Sequence, residues 1–160
     1  MRKKIVFLGN SLYLEDKIGL VIGEMLRDKL AQMGFDVEIS EKINIGLLDI
    51  LLVQSNEFDL MVIVDSVYVD NNQLYGEVFI LDPEKIVSAS IKAPHTISLR
   101  DIVELIRAII NKDIKIYVLG IGIRDLSTLS EDLSDYLKTR INLIADKILD
   151  LLKIIISRYT

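Results

Sequence analysis

Residues 6–26 read VFLGNSLYLEDKIGLVIGEML, and the fold turns on how this stretch is parsed. An apolar, β-branched and aromatic run from Lys4 to Leu8 stops at Gly9-Asn10, the pattern of a buried strand running into a loop. From Ile18 the apolar positions Ile18, Val21, Ile22, Met25, Leu26, Leu30 and Met33 recur at helical spacing as far as Gly34, a natural helix stop. Strand, loop and helix follow in order, with Glu15 and Asp16 side by side at the mouth of the helix. Such a pair is either a set of first-turn acids favoured by the helix dipole or part of a site.

The same rhythm continues outward. Phe35 to Ile39 predicts a second strand, Gly46 to Val53 a short helix, and Leu60 to Val64 a fully apolar strand that stops at Asp65. Tyr75 to Leu81 predicts a further strand, the antiparallel partner in a hairpin around Asp70, Asn71 and Asn72. Ser98-Leu-Arg-Asp101 has the form of a capping box and opens a helix to about Asn111. Lys115 to Leu119 is the last strand, closing at Gly120-Ile-Gly122. From about Ser130 a long amphipathic helix carries Leu133, Leu137, Ile141, Ile144, Ile148, Leu151, Leu152 and Ile155 on one stripe. Strands apolar on both faces, alternating with helices, predict a three-layer αβα sandwich around a mostly parallel, mixed sheet of about five strands. No repeat or linker interrupts residues 1–160, which are expected to form a single domain.

Composition narrows the function classes. With 51% hydrophobic residues in 160, the chain has the apolar content for a substantial core. Charges break every run before the roughly 18 apolar residues of a membrane span, so no membrane insertion is expected. The apolar stretch after Arg2, Lys3 and Lys4 is too short for a secretory signal, and the expected location is cytoplasmic. A net charge of -5 and no basic run beyond the first residues argue against nucleic acid as a partner. The chain has no cysteine, so a metal would have to be held by oxygen and imidazole. No GxGxxG, P-loop, GxSxG elbow or HExxH helix is present, which disfavours a nucleotide site, a Ser-His triad of Ser11, Ser66 or Ser98 with His95, and a conventional zinc protease; a flavodoxin-like binder survives on fold alone.

In α/β sheets, ligands bind at the carboxyl ends of the strands. The loop from Gly9 to Lys17 and Asp65 both fall there, and Pro94-His95, with the sole histidine of the chain, precedes the Ser98 helix. Asp16, Asp65 and His95 are therefore candidates for a three-ligand site for a borderline divalent metal such as nickel, zinc, iron or manganese. Taken singly, each has a plainer reading: a loop histidine, a strand-end aspartate that serves a turn, and a helix-dipole acid.

The segments FLGNSLYLEDKIG (7–19), VIVDSV (62–67), APHTISLRDIVELIR (93–107), IYVLGIGI (116–123) and TLSEDLSDYL (128–137) stand in the order and spacing of the hydrogenase maturation proteases, and the chain resembles that family over nearly its whole length. The resemblance implies a phosphorylase- or hydrolase-like α/β sandwich. It also implies an endopeptidase, sometimes grouped as aspartic-type, that removes a C-terminal extension from the precursor of a nickel–iron hydrogenase large subunit after nickel insertion. Asp16, Asp65 and His95 fall on the family's nickel-recognising positions, where they would serve both as metal ligands and as catalytic residues. Nickel would then arrive with the substrate, no organic cofactor is implied, and a monomer is expected. A non-catalytic assembly factor that binds nickel or the precursor is the alternative of the same fold. Two segments depart from the family pattern: Glu15-Asp16-Lys17 stands where Asp-Asp-Gly is usual, and Ser40-Glu-Lys-Ile-Asn-Ile-Gly46 replaces an Asp-Gly-Gly-Thr-like turn.

Overall fold

The computed structural model describes residues 1–41, 57–81 and 113–159. In chain order these form β1 (Lys3–Gly9), α1 (Ile18–Gln32), β2 (Phe35–Glu41), β3 (Leu60–Tyr68), a 3-10 turn (Asn72–Leu74), β4 (Val78–Leu81), β5 (Lys115–Ile123) and α2 (Asp135–Ser157). The strands make one five-stranded sheet in the order β2-β1-β3-β5-β4. Only β4 runs antiparallel, so the sheet is mixed and mainly parallel, in agreement with the α/β class that the sequence predicts. The helices predicted at Gly46–Val53 and from Ser98 lie outside the described residues, as does His95.

Central strands in such a sheet are buried on both faces, and alternation divides their side chains between two cores. Ile5, Phe7, Leu60, Val62 and Val64 face α1 and α2, where they meet Ile22, Leu26, Leu137, Ile148 and Leu152. Val6, Leu8, Met61, Ile63 and Val118 form the second core on the opposite face. The α2 stripe packs as predicted, with Ile141 only partly buried. The helix itself begins five residues later than the periodicity suggests, because the Ser134 hydroxyl accepts from the Leu137 N–H and sets the cap there.

Three other expectations are corrected. β3 does not stop at Asp65, and β5 does not stop at its glycines: they pair from Leu60↔Lys115 through Asp65↔Gly120 to Tyr68↔Ile123. Gly122 is there for room rather than for a turn, since a Cβ on it would lie 2.0 Å from the Leu74 carbonyl oxygen. The segment around Asp70–Asn72 does not close a β3–β4 hairpin, because β5 inserts between the two strands and β4 pairs with it from Val78↔Ile121 to Leu81↔Val118. The slot beside β3 is covered on both sides and goes to the more apolar strand, with Val118, Leu119 and Ile121 fully buried. β4, whose Ile80 is exposed, takes the edge.

On α1 the buried stripe is Ile18, Ile22, Leu26 and Leu30, while Met25 is exposed. Gly19 and Gly23 occupy the positions beside that stripe and let the helix lie directly on β1. A Cβ on Gly19 would stand 2.0 Å from the Leu8 carbonyl oxygen, and one on Gly23 would stand 2.9 Å from the Phe7 ring. Gly19→Ala is therefore expected to cost at least the ~3 kcal/mol at the upper end of ordinary overpacking, since backbone rather than a flexible side chain must give way. Urea unfolding measures this, and a loss below ~1 kcal/mol would contradict the close packing of α1 on β1. Gly34, at φ 85°, ends α1 and sends the chain into β2.

Candidate active site

Strand order reverses at β1, which has β2 on one side and β3 on the other. This is the switch point at which doubly wound sheets open a crevice at their carboxyl edge. β1 stays paired with β2 as far as Gly9↔Glu41, but its pairing with β3 ends at Phe7↔Val64. Asp65 is thus the first β3 residue beyond β1, and the loop from Asn10 to Lys17 arches over the same end. That loop is fixed at its base by the Asn10 N–H donating to the Asp16 carbonyl at 3.1 Å. The Ser11 N–H also donates to the Glu41 carboxylate at the end of β2.

Neither acid caps α1. The helix begins at Ile18 behind Lys17, no side chain caps it, and its first turn holds no acidic residue. Both side chains turn inward instead, Glu15 and Asp16 each being 1% exposed. The Asp16 carboxylate accepts a hydrogen bond from the Ser66 hydroxyl. The Asp65 carboxylate, also buried, accepts from the Ser66 backbone N–H at 2.8 Å. Ser66 thus has its hydroxyl on Asp16, across 50 residues of sequence, and its amide on its chain neighbour Asp65. Neighbouring Lys17 is directed elsewhere, its ammonium donating to the Ser130 carbonyl.

Glu15 has a different surrounding. Its Oε1 accepts the backbone N–H groups of Arg124 (2.9 Å) and Asp125 (2.8 Å), just past β5. Its Oε2 accepts the Ser134 hydroxyl at 2.6 Å and the Tyr75 hydroxyl. One carboxylate so ties the β1–α1 loop to the end of β5, to the cap of α2 and to the chain ahead of β4. Burial, followed by the hydrogen bond to Glu15, pushes the Tyr75 hydroxyl up to about 12.

The arrangement sorts the sequence candidates. Asp16 reaches the side chain of Ser66, the residue after Asp65, His95 lies outside the described residues, and Glu15 is a structural anchor. Among the described residues no group of three or more His, Asp or Glu side chains is placed to hold a metal. The partnership of Ser66 with Asp16 and the donors to Glu15 escape a reading of the sequence: a serine beside an aspartate is an ordinary strand pair, and nothing local marks Tyr75 or Ser134.

Fold and site together define a doubly wound α/β domain with a pair of buried carboxylates at its switch point. A sequence model of the hydrogenase maturation protease family, HycI, matches residues 26–151, and the chain belongs to that family. The match takes in Asp65 and His95 and begins after Asp16. Among solved structures, the hydrogenase maturation protease HybD from Thermococcus kodakarensis is 27% identical, with 94% of this chain and 99% of that one covered and a TM-score of 0.70. The protease HycI from Thermococcus kodakarensis KOD1 superimposes with a TM-score of 0.72 at 22% identity, covering 95% and 92% of the two chains. The maturating endopeptidase HybD from E. coli gives 0.70 at 20% identity, covering 96% and 93%. No curated protein sequence matches this one. No helix among the described residues is long and apolar enough to cross a membrane.

Proposed function

We propose that this protein is the endopeptidase that removes the C-terminal extension of a nickel–iron hydrogenase large-subunit precursor once nickel has been inserted. The observation that carries this reading is that Asp16 and Asp65 are both buried at the switch point of a hydrogenase maturation protease fold, Asp16 hydrogen-bonded to Ser66 beside Asp65. Two carboxylates with the His95 imidazole are a donor set suited to a borderline divalent ion, and three ligands leave positions open for groups of the substrate. Nickel belongs to the precursor in this reading. Asp16, Asp65 and His95 test for its presence and align the peptide bond to be cut.

One feature favours a second reading, a non-catalytic factor that binds the precursor. The segment from Ser40 to Gly46 lacks the family's glycine-rich turn, and its Glu41 already holds the loop that carries Asp16. Mass spectrometry of the precursor, mixed with the protein with and without nickel, separates the two. Release of a C-terminal peptide only from nickel-loaded precursor, and not by His95→Ala, is expected. Binding with the precursor mass unchanged would leave the assembly-factor reading in its place.

A further inference from the structure

Residues 12–14 and 128–130 form a short antiparallel ribbon above the carboxyl edge of the sheet. The Leu14 N–H donates to the Thr128 carbonyl at 2.7 Å, the Ser130 N–H donates to the Leu12 carbonyl at 3.0 Å, and Tyr13 stands opposite Leu129. In this pattern the central residues turn their own N–H and C=O groups away from each other, toward the two outer edges. Tyr13 uses its N–H on the Asn10 carbonyl at 3.3 Å. Leu129 is 68% exposed, and among the described residues none hydrogen-bonds to its N–H or carbonyl.

The edge is built rather than loose. Asp125 Oδ1 accepts the N–H groups of Ser127 (3.0 Å) and Thr128 (2.8 Å), and its Oδ2 accepts the Thr128 hydroxyl at 2.6 Å. The Ser130 carbonyl is held by Lys17. A held edge whose donor and acceptor no described residue engages is complementary to an extended backbone, and its fixed geometry lowers the cost of binding one.

We infer that the Leu129 edge receives the C-terminal segment of the precursor as an added strand, an inference that rests on the function proposed above. The strand of residues 12–14 leads directly into Glu15 and Asp16. A peptide on the far side of residues 128–130 lies about two strand spacings, ~10 Å, from it. Roughly three residues of extended chain bridge that gap. The edge therefore holds residues that flank the cut rather than the cut itself. Leu129 and Tyr13 share one face of the ribbon, so the segment carries an apolar residue at the matching position.

The test compares, in the slow-processing Asp16→Asn background, the Kd of the otherwise unchanged protein, of Leu129→Pro and of Leu129→Glu for nickel-loaded precursor and for precursor with its C-terminal extension deleted. Removing the N–H with proline is expected to weaken binding of the intact precursor about fivefold. The glutamate variant keeps the backbone groups, so it decides the matter should the proline variant fail to fold, and it is expected to weaken binding about tenfold. Neither change should alter binding of the deleted precursor. An unchanged Kd for intact precursor with Leu129→Glu, or an equal loss on both forms, overturns the inference. So does a concentration-dependent dimer that Leu129→Glu abolishes while precursor binding stays intact, since the edge then serves a second copy of the chain. If wild type binds but never cuts, the proposed function fails while the Kd comparison still decides the docking edge.

Discussion

Asp16→Asn is expected to lower processing of nickel-loaded precursor by about 10² or more, the scale of losing a group that acts directly on the reacting centre. Asn keeps the size of the side chain and an oxygen able to accept from the Ser66 hydroxyl, so the fold should survive; what goes is the negative charge. Asp65→Asn should do the same for the same reason, its oxygen still accepting from the Ser66 N–H. The double variant should be little worse than either single one, because residues that act on one centre are not additive. Precursor mass followed over time gives the rates, and urea unfolding of each variant shows that the loss is not one of structure. Processing by Asp16→Asn at the wild-type rate would remove this residue from the site. Ser66→Ala belongs to the same series, with a milder loss expected, since it leaves both charges and removes the hydroxyl that positions one of them.

Glu15→Ala is expected to be the most damaging change to stability, by about 4 kcal/mol or more, out of the 5–15 kcal/mol typical of a domain. Four donors lose their acceptor together: the N–H groups of Arg124 and Asp125 and the hydroxyls of Tyr75 and Ser134. Glu15→Gln retains one oxygen for the amides but turns an NH2 toward the hydroxyls, and about 2 kcal/mol is expected. A loss within ~1 kcal/mol for Glu15→Ala would mean that the anchor is dispensable. The contact also sets an alkaline limit. The hydroxyl of Tyr75 is raised above its usual 10.0 to about 12, so the fold favours the neutral phenol. Its contribution is complete below pH 10 and is lost as pH rises through 12. Tyr75→Phe should be less stable than wild type at neutral pH and should lose this part of the alkaline decline, as unfolding curves across that range would show.

Much of this was written locally in the chain. The apolar run before Gly9, the helical stripe from Ile18 and the stripe of α2 each bury a face whose period is visible in a few turns of sequence, and Gly34 marks its own turn. The family motifs led to the same carboxylates, Asp16 and Asp65, that the strand-end rule selects. Strand lengths were less legible. An aspartate in β3 and glycines in β5 break the apolar pattern, yet the strands continue, because what extends them is the ladder between Asp65 and Gly120 and its neighbours rather than either segment's own preference. The exchange of β4 and β5 in the sheet order is likewise a competition for one covered slot, settled between segments far apart in the chain.

The difference between Glu15 and Asp16 marks the boundary most sharply. As a sequence they are adjacent acids with the same charge at the same helix mouth. Only the folded chain separates them, by bringing Ser66 from 50 residues away to Asp16, and Tyr75, Arg124 and Ser134 from 60, 109 and 119 residues away to Glu15. Sequence periodicity determines which faces are buried, because burial is a property of each element's own pattern. Which buried carboxylate gathers four donors and which takes the Ser66 hydroxyl is decided by groups that the sheet brings together, and so by tertiary structure alone.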